Sequence, residues 1–230
     1  MSMTAPHRPL RLAASLALQL PWPIVAQAAG GHFSIDDAVI LEPGQAQVET
    51  WLARDEHGHR LTEHIAPAAR VGPVELGLDV ARFAMQATGS PWFWTPQLKW
   101  ATPVLTEQWS AGITVSGSWQ AGNSLPVGYT VLVPVTWHPT DPLLVHLNVG
   151  RDIVRDAGDQ AHGGASIEWV PLAQASFIAE RFRENGLHAW RAGARWSPNE
   201  SLSFDLSQAR MLGGSELRWW TFGINLVFDR

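Results

Sequence analysis

The stretch Trp219-Trp220-Thr221-Phe222-Gly223-Ile224-Asn225-Leu226-Val227-Phe228 decides the fold. Trp220, Phe222, Ile224, Leu226 and Phe228 share one face of an extended chain, and Trp219, Thr221, Gly223, Asn225 and Val227 share the other. A period of two is that of a β-strand, because successive side chains point to opposite faces. The stretch is also close to the ~9–11 residues with which a tilted strand crosses a bilayer.

Working outward, the same alternation recurs. Val74, Leu76, Leu78 and Val80 alternate with Glu75, Gly77, Asp79 and Ala81. Trp109, Ala111, Ile113 and Val115 alternate with Ser110, Gly112, Thr114 and Ser116, and Tyr129–Trp137 and Leu143–Val149 follow suit. The pattern predicts twelve strands at 45–54, 61–71, 73–83, 93–103, 108–119, 128–138, 142–150, 163–171, 173–182, 187–197, 201–209 and 217–228. Connections alternate between tight turns (Gly72, Leu105-Thr106, Thr140-Asp141, Leu172, Pro198-Asn199) and mostly longer polar loops, such as Asp55–Arg60 and Arg151–His162. Even strand number with short turns at one end and longer loops at the other is the rhythm of an outer-membrane barrel. The fold class expected is all-β, a transmembrane antiparallel up-and-down β-barrel.

Composition agrees. The chain has 230 residues, 13 Trp against one Tyr, no Cys, and only 16% charged residues, below the roughly 25% usual in soluble domains. Its net charge of −5 and lack of a basic run exclude nucleic acid as a partner. With the apolar strand faces outward, Trp100, Trp109, Trp137, Trp169 and Trp196 fall near the periplasmic ends. Trp94, Trp119, Trp190 and Trp220 fall near the outer ends. Two belts of indole suit two membrane interfaces; a soluble sandwich would hold its tryptophans mid-strand. Pro67, Pro96 and Pro134 depart from the strand pattern, since each removes a ladder donor.

The N-terminus reads as an address. Arg8 and Arg11 precede the apolar run Leu12–Leu20, and Ala26-Gln27-Ala28 supplies a small-residue cleavage pattern. The expected organisation is a signal peptide at 1–28, a periplasmic N-terminal segment at 29–44 and the barrel at 45–228, exported to the bacterial outer membrane.

Three stretches carry a resemblance to a known family. They are Leu41-Glu42-Pro43-Gly44-Gln45, Arg70–Leu78, and Ala192–Asn199 followed by Phe204-Asp205-Leu206-Ser207. In these the chain resembles Gram-negative outer-membrane β-barrels of the phenol meta-pathway transporter-like kind. The closing Phe222–Phe228 run is similar to the C-terminal signal that the barrel-assembly machinery reads, although Asp229 and Arg230 follow it here. The resemblance implies a barrel, outer-membrane lipid and the assembly machinery as partners, and a transported solute. It implies no catalytic residues and no cofactor.

Strand parity turns Glu75, Asp79, Lys99, His146, Glu168, Glu180, Arg191, Arg195 and Asp205 into the lumen, with Glu49, Arg70 and Asn225. Charges of both signs there fit a narrow channel for small solutes. They also fit a closed barrel, held by its salt bridges, with a structural or adhesive role. A third reading is a lipid-modifying enzyme. A symmetric fourth hairpin centred near Ala157 would set His146 opposite Glu168 and Asn148 opposite Ser166, the parts of a nucleophilic triad. His57-Gly58-His59, with Asp55, Glu56, His64 and His162, offers metal-type ligands, but His-x-His in a polar loop is of low specificity and reads first as a solvated loop. No metal site, cofactor or catalytic residue is assigned on these grounds.

Overall fold

A computed structural model describes residues 31–85, 89–102, 106, 108–213 and 217–229. The expected signal peptide and part of the Leu105-Thr106 turn lie outside the described residues. Twelve strands follow in order: β1 (Gln45–Asp55), β2 (Arg60–Val71), β3 (Val74–Met85), β4 (Trp92–Ala101), β5 (Trp109–Gln120), β6 (Gly128–Thr140), β7 (Leu143–Val154), β8 (Gly158–Leu172), β9 (Ala175–Glu184), β10 (Leu187–Asn199), β11 (Leu202–Met211) and β12 (Arg218–Asp229). Each pairs antiparallel with its neighbours, and β1 pairs with β12 from Gln45↔Asp229 to Asp55↔Trp219, so the sheet is a closed barrel. Closure is what lipid demands: an open edge would leave N–H and C=O groups unpaired at several kcal/mol each.

The apolar parity faces outward. Ile65, Leu76, Ile113, Val133, Leu147, Ile167, Phe177, Leu206, Phe222 and Phe228 are all exposed, whereas Glu75, Thr114, His146, Ser166, Glu180, Ser207 and Thr221 are buried on the inner side. Hydrophobic burial therefore does not hold this structure together in the manner of a soluble core. The apolar groups are placed to meet lipid, and the polar groups meet one another.

Pro67, Pro96 and Pro134 interrupt pairing on one side without shifting the register: Ile65↔Val80 and Ala68↔Gly77 continue one ladder, as do Trp94↔Trp119 and Gln97↔Ser116. The register shifts lie instead at the short-turn ends of β6, β8 and β10. They fall between Trp137 and Thr140, Trp169 and Leu172, and Trp196 and Asn199. Each shift encloses a proline in a repeated Trp-x-Pro pattern: Trp137-His138-Pro139, Trp169-Val170-Pro171, Trp196-Ser197-Pro198. A bulge tolerates a residue with no N–H, so proline and bulge coincide.

The fourth long loop is also shorter than expected. β7 and β8 run on past the predicted ends, leaving only Arg155–Ala157 between them, with Asp156 at φ 68° and Gly158 at φ 73° closing the turn. The hairpin is centred one residue earlier than symmetry suggested, so His146 lies opposite Ser166 and Leu144 opposite Glu168.

The outward placement predicts an energetic gradient. Val133→Arg, near mid-strand, should cost about 2–4 kcal/mol in folding titrations into lipid vesicles, and Leu61→Arg, near the end of β2, about 0–1 kcal/mol. Equal costs would show that the wall does not face lipid in this way.

Candidate functional site: a lumen crossed by the N-terminal segment

Residues 32–41 are not strand and do not hang below the barrel as a periplasmic segment. They form a strap that runs round the inside of the wall before entering β1 through the Glu42–Gln45 turn, where the Gln45 N–H bonds the Glu42 carbonyl at 3.0 Å. His32 Nε2 and Ser207 Oγ on β11 are 2.7 Å apart, and Arg191 Nη1 on β10 donates to the His32 carbonyl. The Ser34 and Ile35 N–H groups donate to the two oxygens of Glu180 on β9, at 3.2 and 3.0 Å. The Asn148 amide on β7 both accepts from the Asp36 N–H and donates to the Asp36 carbonyl, each at 2.7 Å. Ala38 N–H donates to Thr136 Oγ1 on β6 at 3.0 Å, and Leu41 N–H to Glu75 on β3 at 2.9 Å. Arg70 on β2 donates to the Leu41 carbonyl at 2.9 Å.

The physical reason is the accounting of polar groups. An irregular segment has free backbone donors, and the wall has carboxylates and hydroxyls that water cannot freely reach. Each satisfies the other, since a buried unpaired polar group costs about 1–3 kcal/mol. Ile35 adds an apolar anchor: it is fully buried against Phe182 and Ala189, with Leu187 and Trp219 packed alongside. Glycines on the inner wall make room for the strap. A Cβ at Gly223 would lie 3.3 Å from His32 Nδ1 and 3.4 Å from Asp205 Cβ.

Charge pairing completes the arrangement. Lys99 Nζ donates to Asp36 at 2.7 Å and to Asp37 at 2.9 Å. Arg191 pairs with Glu180 at 2.9 Å, and Arg195 holds Asp205 through two bonds of 2.7 and 2.9 Å. His146 bonds Thr136 at 2.9 Å through Nδ1 and stands 3.6 Å from Glu168 through Nε2. Of the nine residues expected to line the lumen, Glu75, Lys99, Glu180 and Arg191 touch the strap directly. Asp205 stands 3.8 Å from His32 Nδ1 and Arg195 lies over the Phe33 ring, while His146 and Glu168 stand against each other. Asp79 stands apart, higher up, with both oxygens 3.0 Å from His64 Nδ1.

His32 lies outside the strands. Burial, reinforced by the Arg191 charge, pushes its imidazole down to about 3, against the partly opposing pull of Asp205. The docked strap therefore carries a neutral His32.

The triad of the third reading does not assemble. Ser166 Oγ has no hydrogen-bond partner and His146 Nδ1 is engaged by Thr136. The loop histidines diverge as well. His64 turns inward to Asp79 and His162 to Asp152 at 2.8 Å, while the His57 and His59 rings sit 5.9 Å apart. Among the described residues no group of three or more His, Cys, Asp or Glu could hold a metal ion.

On the outer wall, Trp94, Trp100, Trp109, Trp137, Trp169, Trp190, Trp196 and Trp220 are exposed, and Trp119 is half-buried because it stacks on Trp94 at 4.6 Å. Trp109 stacks on Trp137, and Trp196 on Phe204. Trp51 and Trp219 are the exceptions, pairing in register with inward positions.

A closed twelve-strand barrel with an apolar outer wall and a polar, charged interior is an outer-membrane-type β-barrel. Residues 17–228 match the family described as "Uncharacterised conserved protein UCP029691", and the chain belongs to that family. No curated protein matches the sequence. Among solved structures the barrel is similar to the KdgM porin, with a TM-score of 0.64 at 11% identity over 80% of this chain and 99% of that chain. It is similar to the NanC porin, with a TM-score of 0.59 at 7% identity over 78% and 98%. It is also similar to outer membrane phospholipase A from Escherichia coli, with a TM-score of 0.51 at 8% identity over 79% and 95%. At these identities the likeness is one of fold.

The strap was missed by pattern reading because residues 32–44 have no periodicity. Inward glycines beside inward charges, at Gly193 and Gly223, were the available hint of something filling the lumen.

Two outcomes test the docking. The chain has no cysteine, so Ala38→Cys, at a position 1% exposed, reports on it by thiol labelling. Lys99→Met strands two carboxylates, a loss of about 3–5 kcal/mol for a broken buried pair, and should speed labelling many-fold in a folded barrel. Unchanged labelling would show that Lys99 does not hold the strap. For His32, the undocked imidazole takes up a proton below its ordinary value near 6.5 while the docked one resists until about 3. Docking stability is thus full above that ordinary value and falls as pH drops toward 3. At pH 5 the loss is about 2 kcal/mol. Labelling rates, normalised to an unstructured peptide, should rise on acidification, and His32→Gln should remove that share of the rise.

Proposed function

We propose that this protein is an outer-membrane channel for small solutes whose resting state is closed by its own N-terminal strap. One observation carries the reading: the polar inner wall is occupied by a tethered, non-strand segment rather than by wall side chains alone. Such a segment can leave without breaking any ladder bond, whereas a plug of inward side chains cannot. With the strap out, Glu49, Glu75, Glu168, Glu180 and Asp205 face Arg70, Lys99, Arg191 and Arg195 across the lumen. That balance is slightly acidic, and a low-dielectric tube concentrates it, so the open channel selects weakly for cations.

The likeness to porins supports transport at the level of fold, and the resemblance to phenol meta-pathway transporter-like barrels points the same way. The exposed Phe228, at the end of β12, fits a role in recognition by the assembly machinery, and the exposed tryptophans fit two interface belts. The barrel wall and these belts support a location in the bacterial outer membrane.

Planar-bilayer recording tests the proposal. The full chain should conduct rarely, and a variant lacking residues 32–41 should show frequent discrete steps. Its reversal potential in a salt gradient should be weakly cation-selective and should move toward anions with Glu75→Gln. A deletion variant that folds to a heat-modifiable barrel and stays silent would favour the closed, structural barrel.

A further inference from the structure

The charges on the outer wall are distributed unevenly. By register, the outward positions of β1 to β12 carry Arg54, Glu63, Arg82, Arg151, Asp159, Arg181, Arg183, Arg210 and Arg218. All nine lie near the ends that carry the longer loops. The outward positions of the other half carry no charged residue. Seven of the nine are arginine, although arginine on a wall facing hydrocarbon costs about 2–4 kcal/mol at mid-depth and little near the interface.

The arginines are also clustered around the barrel. Trp190 on β10 is the register partner of both Arg181 on β9 and Arg210 on β11, and Arg210 is in turn the partner of Arg218 on β12. This makes a row of Arg, Trp, Arg and Arg across four adjacent strands, about 14 Å wide at the usual strand spacing. Arg54 on β1, opposite Trp220, extends it, and Arg183 and His188 lie together beside it. Arg54, Arg181, Arg210 and Arg218 are exposed, and among the described residues none of them pairs with a carboxylate. Glu56, in the loop after β1, accepts a bond from Gln208 at 3.3 Å instead. Elsewhere the wall neutralises itself: Arg82 pairs with Glu63 at 3.1 Å.

Like charges directly opposite one another destabilise a sheet. Arg210 and Arg218 are so placed, with no carboxylate partner among the described residues, and an anionic ligand would relieve them. We propose that the outward arginines of β9, β11, β12 and β1, flanked by Trp190 and Trp220, bind the phosphate-bearing headgroup of an outer-leaflet glycolipid. The guanidinium fork matches phosphate bidentately, and a row of three strands' arginines spans more than one phosphate. The indoles, Trp190 within the row and Trp220 beside Arg54, sit at headgroup depth, where the ring meets acyl chain and its N–H meets polar groups. The site rests on the outer-membrane reading, because it needs the long-loop end to lie in the outer leaflet. It does not depend on whether the lumen conducts.

The folded full chain in detergent, after removal of any signal peptide, can be assayed by native mass spectrometry for retained lipid. The probes are a bis-phosphorylated diglucosamine lipid (lipid A), its dephosphorylated form, phosphatidylglycerol and inorganic phosphate. The wild type should retain the bis-phosphorylated lipid in preference to the other two lipids, and millimolar phosphate should not displace it. Arg181→Gln with Arg210→Gln and Arg218→Gln should weaken retention by about fivefold per arginine, roughly a hundredfold together. Arg82→Gln, which removes a paired arginine elsewhere, should leave retention unchanged. Arg210→Lys with Arg218→Lys keeps the charge and should give an intermediate loss in a barrel that still shows heat-modifiable migration. Equal retention by the triple variant, equal retention of the dephosphorylated lipid or of phosphatidylglycerol by the wild type, or displacement by free phosphate would each overturn the site. Failure of the outer-membrane reading would instead appear as failure to insert into bilayers of any composition.

Discussion

The pairing of β1 with β12 is the constraint on which the structure depends. In hydrocarbon no water accepts a stray N–H, so every strand must have two neighbours, and a sheet of twelve can satisfy that only by closing. The eleven register pairs from Gln45↔Asp229 to Asp55↔Trp219 do this. Once the sheet is closed, the period of two has a fixed meaning: one parity meets lipid and the other meets the inside.

That division sets a second problem, which the strap answers. Glu75, Glu180, Asn148 and Thr136 are buried where the wall and the strap meet. Their hydrogen-bonding capacity must be met from within, and the strap brings backbone N–H groups that a loop would otherwise offer to solvent. The bonds are individually modest, about 0.5–1.5 kcal/mol net. Their number and the Lys99 contacts to Asp36 and Asp37 localise the segment, while its lack of ladder bonds leaves it separable from the barrel.

The outer wall has its own polarity. Trp-x-Pro bulges end β6, β8 and β10 at the short-turn side, where the chain needs to bend and the wall needs an indole. Arginine crowds the opposite rim. The two ends thus differ in chemistry as well as in loop length, which gives the barrel a direction across the membrane independent of its interior.

The amino-acid sequence by itself determined the strand count, the strand boundaries to within two residues except where β7 meets β8, and the parity of Glu75, Lys99, Glu180, Arg191, Arg195 and Asp205. It could do so because a strand's facing is a local property, repeated every two residues and reinforced by tryptophan at both ends. It could not determine the register of β7 with β8, because a hairpin's register follows from turn geometry, and the positive φ of Asp156 and of Gly158 is invisible to periodicity. Nor could it place residues 32–41. Their sequence carries no repeat, and their conformation is dictated by bonding partners drawn from β2, β3, β4, β6, β7, β9, β10 and β11, between 29 and 175 residues away in the chain. Only the closed barrel brings those partners to one circumference, so only the tertiary structure decided that the lumen is occupied.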